Sequence, residues 1–244
     1  MENVLVVEGL SKAFGPVQAV DDLNFAVRKG EVFGLLGHNG AGKSTSIECI
    51  LGVQKAQRGM VRVLGMNPLT DRKQLFEKVG VQFQETNYQA RITVEEICRL
   101  RHSLYRNPAD WEELLRAFGL AGLRKQTVSK LSGGERQRLS VVLALIPNPD
   151  LVFLDELTSG LDPKARRDVW KYLEKLKEKG LTILLTSHYM DEVEALCDRI
   201  CILKKGRMVV LDTVAAVIEQ SPFSNLEEAY LWYSGEEEAA NESL

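Results

Sequence analysis

The chain has 244 residues, 45% of them hydrophobic and 27% charged, with a net charge of −3. That length supports one large α/β domain or two small lobes, and the near-neutral charge excludes a global attraction to nucleic acid or to an anionic membrane. No apolar run approaches the roughly twenty residues of a membrane span, Met1-Glu2-Asn3-Val4 lacks the marks of a signal peptide, and four cysteines without a C-x-x-C read as thiols of a reducing compartment.

Apolar runs at residues 4–7, 17–27 and 32–36, broken by Gly15-Pro16 and Lys29-Gly30, predict an antiparallel patch of strands. Phe14 sits in the first of those turns, either as a core residue or as an aromatic on which a base could stack. The third strand leads into Gly37-His38-Asn39-Gly40-Ala41-Gly42-Lys43-Ser44-Thr45, followed by Ile47, Ile50 and Leu51 spaced as one helix face. Strand, glycine loop and helix are the context that G-x-x-x-x-G-K-[ST] requires. The glycines let backbone N–H groups converge on phosphate oxygens, and the helix start adds unpaired N–H groups and the positive end of its dipole. Lys43 would reach the β- and γ-phosphates, and the Ser44 hydroxyl would ligate Mg²⁺. The motif therefore predicts a nucleoside triphosphate site without saying what the nucleotide is for.

Beyond the loop, strands are predicted at 60–64 and 79–83, the latter running into Gln84 and Glu85. From about 86 to 146 the pattern turns helical. Thr93…Glu96 and Asp110…Glu113 each have capping-box spacing before helix-periodic apolar residues, and the second of these helices stops at Gly119. Lys130-Leu131-Ser132-Gly133-Gly134-Glu135 opens a third helix, in which Ser132 and Glu135 could form another capping box. Two glycines are entropically costly in a first turn, but they expose N–H groups suited to an anion. The chain thus carries two anion-suited helix starts and one set of Mg²⁺ ligands.

Residues 151–156 form an apolar strand ending in two carboxylates. Asp155 suits a Mg²⁺ ligand, and Glu156 could orient an attacking water; both could also merely end a strand. Asp162 is a predicted N-cap with Pro163 at the first helical position, and that helix runs to Gly180. The strand at 181–186 ends at His188, a surface residue or, at the ligand edge of a doubly wound sheet, a γ-phosphate contact. Strands at 200–203 and 208–211 close the α/β portion. A short amphipathic helix at 225–233 precedes a solvated acidic tail. The expected organisation is a nucleotide-binding domain over 1–220, with a helical subdomain at about 86–146 inserted in the α/β core, and a C-terminal extension over 221–244.

In this order the motifs resemble those of the ATP-binding cassette (ABC) ATPases over nearly the whole chain, with Leu131-Ser132-Gly133-Gly134-Glu135 matching the family's own signature. The resemblance implies a P-loop NTPase core with a mainly parallel sheet, an N-terminal antiparallel β patch and an all-helical insertion. It further implies that Phe14 stacks on adenine and that Gln84 senses Mg²⁺ and faces a membrane partner. Ser132, Gly133 and Gly134 would contact the γ-phosphate held by a second subunit. Asp155 would help hold Mg²⁺, Glu156 would be the catalytic carboxylate, Asp162 would cross the dimer, and His188 would be the switch histidine. The family usually has proline where Leu157 stands, so the backbone from Glu156 to Asp162 is expected to be less constrained.

The resemblance also implies ATP and Mg²⁺ as cofactors, and an ATP-dependent head-to-tail homodimer or a heterodimer with a related ATPase. The partner would be an integral membrane permease encoded as a separate chain, holding this subunit at the cytoplasmic face. No nucleic acid is expected. Residues 81–85, 186–194 and 225–230 are similar to ATPase subunits of ABC-2-type exporters. Two other readings compete: a soluble ABC ATPase acting on a macromolecular partner, and a nucleotide-gated interaction module without activity. Glu156 and His188 together speak against the latter.

Overall fold

The computed structural model describes residues 2–83 and 91–235. Gln84, Glu85 and the acidic tail from residue 236 lie outside the described residues. In chain order the first elements are β1 (Asn3–Phe14), β2 (Val17–Arg28), β3 (Val32–Leu36), α1 (Lys43–Ile50), β4 (Arg58–Val63), α2 (Arg72–Leu75) and β5 (Val79–Gln82). The helical block follows as α3 (Val94–Ser103), α4 (Trp111–Ala117), two 3₁₀ turns (Ala121–Leu123 and Val128–Lys130) and α5 (Gly133–Leu145). Then come β6 (Leu151–Leu154), α6 (Pro163–Glu178), β7 (Thr182–Leu185), α7 (Met190–Leu196), β8 (Arg199–Lys204), β9 (Arg207–Thr213), α8 (Val214–Glu219) and α9 (Leu226–Ser234).

The chain forms two compact units, residues 1–72 with 186–244, and residues 73–185. In the first, β1 pairs antiparallel with β2 and with β4, giving the expected N-terminal patch. β1 is far longer than the expected run at 4–7. Register shifts between Val7 and Leu10 and between Leu10 and Lys12 let the strand continue where its alternation fails. β3 pairs parallel with β8, and the β8–β9 hairpin turns at Lys205-Gly206. Leu36, Val193, Ile200 and Ile202 pack with Val217, Leu226 and Tyr230, so α8 and α9 cover this end of the core.

The second unit holds β5, β6 and β7, all parallel and in register from Val79, Leu151 and Thr182. β6 and β7 are buried throughout and apolar but for Thr182, as strands covered on both faces must be. The capping box expected at Thr93 is formed, and at Asp110 a side-chain cap stands in its place. Thr93 and Glu96 form a reciprocal capping box, and Asp110 accepts from the N–H groups of Glu112 and Glu113. Arg124 ties the block together, reaching Glu95 and Glu112 while lying over the Trp111 ring. Three of the four cysteines are buried and none is bonded to another. Burial pushes the Cys98 and Cys201 thiols up to about 12, so both stay protonated and unreactive.

Candidate nucleotide-binding site

In the first unit the five buried residues of β3 deliver the chain to the glycine loop. Gly37 and Gly42 have φ of 149° and 103°. A Cβ at Gly37 would lie 2.6 Å from the Leu203 carbonyl, and one at Gly42 would run into the Ala19 carbonyl. The loop is therefore pressed between β2 and the β8–β9 hairpin, whose Gly206 N–H donates to the Ala41 carbonyl at 3.0 Å. Gly42 is the N-cap of α1 and, having no side chain, makes no capping hydrogen bond of its own. Lys43 is 7% exposed. Its Nζ donates to the carbonyls of Gly37 (2.6 Å) and His38 (3.2 Å), which folds the ammonium back over the loop. Ser44 is exposed and Thr45 half-buried at the start of the helix. His38 Nδ1 donates to the Asn39 carbonyl at 2.6 Å.

His188 lies in the same unit and lines a cavity of about 310 Å³ with His38 and Asn39. Glu227, Tyr230 and Leu231 of α9 form part of the same wall. This contribution from α9 was not expected from the sequence. Its only trace there is the apolar spacing of Leu226, Ala229 and Tyr230, the face that α9 buries. Phe14 ends β1, 46% exposed, with the Lys12 ammonium 4.9 Å from its ring centroid.

The second unit carries the other predicted residues. Ser132 caps α5 in a full capping box: the Glu135 N–H donates to Ser132 Oγ at 3.3 Å, and the Ser132 N–H donates to Glu135 Oε2 at 2.7 Å. Those two groups of Ser132, the backbone N–H foremost, hold the Glu135 carboxyl below its ordinary range. The paired glycines differ in their surroundings. A Cβ on Gly134 would meet Leu161 Cδ2 at 3.2 Å and the Gly160 carbonyl at 3.3 Å, whereas one on Gly133 would meet nothing within 4 Å. The signature start is thus packed against the turn that precedes Asp162, and its outermost glycine faces open space.

Asp155, 8% exposed, follows directly on β6. Glu156 is half-buried and adopts φ 52°, a left-handed conformation that costs a non-glycine residue about 1–3 kcal/mol. The turn beyond it is closed by the Ser159 N–H donating to the Glu156 carbonyl and the Leu161 N–H to that of Thr158. Leu157 is fully buried, and Gln137 Nε2 donates to the carbonyls of Glu156 and Leu157. Where the family usually has proline, the backbone here is anchored by the buried Leu157 side chain and by Gln137. Asp162 caps α6, accepting from the N–H groups of Lys164 (3.0 Å) and Ala165 (3.1 Å), with Pro163 at the first helical position.

A glycine loop between a buried parallel strand and a helix with a glycine N-cap, with a lysine folded over it, defines a P-loop nucleotide-binding domain. The sequence matches the ABC transporter family over residues 20–159, and the chain belongs to that family. It is 36% identical over 240 residues to the probable multidrug ABC transporter ATP-binding protein YbhF of Escherichia coli (strain K12), covering 94% of this chain and 41% of that protein. It is 40% identical over 217 residues to the Nod factor export ATP-binding protein I of Rhizobium johnstonii, covering 87% of this chain and 70% of that one. The chain therefore spans less than half the length of the former. Among solved structures, an ATP-binding subunit of an ABC transporter superposes with a TM-score of 0.87 at 29% identity, over 95% of this chain and 99% of that one. A nucleotide-free ATP-binding cassette superposes with a TM-score of 0.77 at 25% identity, over 87% and 92%.

Proposed function

We propose that the chain is the ATP-binding and ATP-hydrolysing subunit of a transporter, powering a separate membrane permease of the ABC-2 exporter type. The observation that carries this reading is the loop itself, pinned by Ala19, Leu203 and Gly206, with Lys43 over its carbonyls and a glycine as the N-cap of α1. Triphosphate oxygens would replace the Gly37 and His38 carbonyls as partners of the Lys43 ammonium and take hydrogen bonds from the N–H groups of the loop and of the helix start. Phe14, exposed at the end of β1, offers a face for adenine.

Ser44 and Asp155 would supply the oxygens for Mg²⁺, with Gln84 as a further ligand and sensor. Among the described residues no group of three or more His, Cys, Asp or Glu side chains is gathered to hold a metal. Two protein oxygens suit Mg²⁺, which keeps water and binds through one or two protein oxygens and the phosphates. Mg²⁺ held there would supply charge screening at the β- and γ-phosphates. Glu156 accepts a proton from the attacking water or orients it, and His188 contacts the γ-phosphate. Ser132, Gly133 and Gly134 close on the nucleotide of a second subunit, which makes the working form a head-to-tail dimer with Asp162 near the joint. The exposed Gly133 supports this, since nothing within the chain requires a glycine at that point.

Among the described residues no helix is long and apolar enough to cross a membrane. A permease on a separate chain supplies the membrane path and holds this subunit at the cytoplasmic face. The exporter assignment draws on the two relatives named for multidrug transport and Nod factor export. The test is purification in mild detergent with Mg·ATP turnover measured on the product. Turnover and a co-purifying integral membrane protein support the reading, and a chain that neither binds nor hydrolyses ATP overturns it.

A further inference from the structure

The turn after β6 is held by two glutamines. The Asp155 N–H donates to the backbone carbonyl of Gln82 at 3.1 Å, and Gln82 Nε2 donates back to the Asp155 carbonyl at 2.9 Å. Gln137 Nε2 donates to the carbonyls of Glu156 at 2.8 Å and Leu157 at 3.0 Å. Three consecutive carbonyls, 155 to 157, are thus fixed by two side-chain amides. The middle one belongs to the residue in the left-handed conformation.

The chemistry of the amide suits this position. An –NH₂ group carries two hydrogens in a fixed plane and can fork onto two neighbouring carbonyls, which a hydroxyl or a thioether cannot do. Gln82 is almost wholly buried at the end of β5, so its grip on Asp155 is part of the core. Gln137 is half-buried and approaches from α5. It adds two side-chain hydrogen bonds to a backbone in a strained conformation. Rotating the peptide planes on either side of Glu156 would swing its Cα–Cβ bond, and the carboxylate with it.

We propose that Gln137, seconded by Gln82, is a positioning residue for the Glu156 carboxylate. The proposal rests on the reading of Glu156 as the group that orients the attacking water. It also gives α5 a second task. Gln137 lies five residues beyond Ser132, a rise of about 7.5 Å along the helix. The helix start offered to a partner subunit's nucleotide and the clamp on this subunit's own carboxylate therefore belong to one helix.

Steady-state Mg·ATP hydrolysis by the full chain tests this with three variants: Gln137→Met, Glu156→Gln and the two combined. Methionine keeps the length of the side chain and removes both donors. Gln137→Met should lower kcat about 10- to 100-fold, the scale on which small misplacements act. KM and the affinity for a fluorescent ATP analogue should stay within about twofold, because the phosphate loop is untouched. In the Glu156→Gln background the methionine should cause no further loss, since a group that acts only through Glu156 has nothing left to position. A purely structural role would instead lower both backgrounds equally, or weaken nucleotide binding in parallel, and either result overturns the proposal. Full activity of Gln137→Met beside an inactive Glu156→Gln also overturns it, and leaves the catalytic reading standing. Wild-type turnover by Glu156→Gln would overturn the catalytic reading and this proposal with it. If the methionine variant does not fold, Gln137→Asn, whose amide falls one methylene short, is measured for the same split between kcat and KM.

Discussion

Lys43 and Gly37, six residues apart, are joined by a 2.6 Å hydrogen bond from the ammonium to the carbonyl, across the loop that separates them. The lysine is thus held at the mouth of the glycine loop by the loop's own backbone, ready to exchange carbonyl oxygens for phosphate oxygens. Lys43→Ala removes a charge-assisted contact worth roughly 1.5–3 kcal/mol, so affinity for ATP should fall about ten- to a hundredfold. Titration of both proteins with a fluorescent ATP analogue measures it, and equal affinities would remove Lys43 from the site.

The dimer proposal makes a second prediction. Glu156→Gln keeps shape and nucleotide binding while removing a carboxylate worth about 10²–10⁴-fold in rate. It should accumulate as a dimer in Mg·ATP and return to monomer in Mg·ADP. Adding Ser132→Arg places a bulky cation at the exposed start of α5 and should abolish the dimer while leaving ATP binding by the monomer. Light scattering on the three proteins decides the matter. A Glu156→Gln protein that stays monomeric at saturating Mg·ATP counts against the arrangement.

The two signature glycines should separate folding from association. Gly133→Ala meets nothing within the chain, so stability to urea should be unchanged or rise by up to ~1 kcal/mol, the helix propensity gained. Its Mg·ATP-dependent dimer, in contrast, should weaken. Gly134→Ala presses on Leu161 and the Gly160 carbonyl and should lower stability by about 1 kcal/mol. A Gly133→Ala variant that unfolds as readily as Gly134→Ala would mean that the outer glycine serves the fold after all.

Acid should loosen the start of α5. The hydrogen bond from the Ser132 N–H, with a smaller part from its hydroxyl, lowers the Glu135 carboxyl from an ordinary value of 4.5. A lowered folded value means that the stabilisation is fully present above the unfolded value and is lost as pH falls through the folded one. The loss therefore lies below pH 4.5. Glu96, lowered by Thr93 in the same way, behaves alike at α3. Between pH 5 and 3 the urea midpoint of Glu135→Gln should drop less than that of the wild type; equal drops would show that this carboxylate does not contribute.

The phosphate loop was legible because strand, glycines and helix are contiguous, and each property the site needs is local. The capping residues Thr93, Asp110, Ser132 and Asp162 were legible for the same reason, since each acts within three residues of itself. β1 was read short because Glu8, Gly9, Ser11 and Lys12 interrupt the apolar alternation. The register shifts that absorb them exist only once β2 and β4 are alongside. Gln137 looked like any polar residue in a helix, because its partners lie 19 and 20 residues away and are backbone carbonyls, which leave no mark in a sequence. The place of α9 against His38 and His188 was hidden likewise. Its apolar face was visible, but the surface that it covers is assembled from β3, β8 and α7.

The left-handed backbone at Glu156 sets stability against activity at a single position. Asparagine tolerates that conformation far better than glutamate does. Glu156→Asn should therefore make the chain harder to unfold, by about 1 kcal/mol, while its ATP turnover collapses. Selection for a sturdier protein alone would drift away from the carboxylate. On the proposed role of Glu156, a carboxylate on so unfavourable a backbone is kept for its chemistry at the expense of the fold, and a denaturation curve of the asparagine variant would show how much the fold gives up.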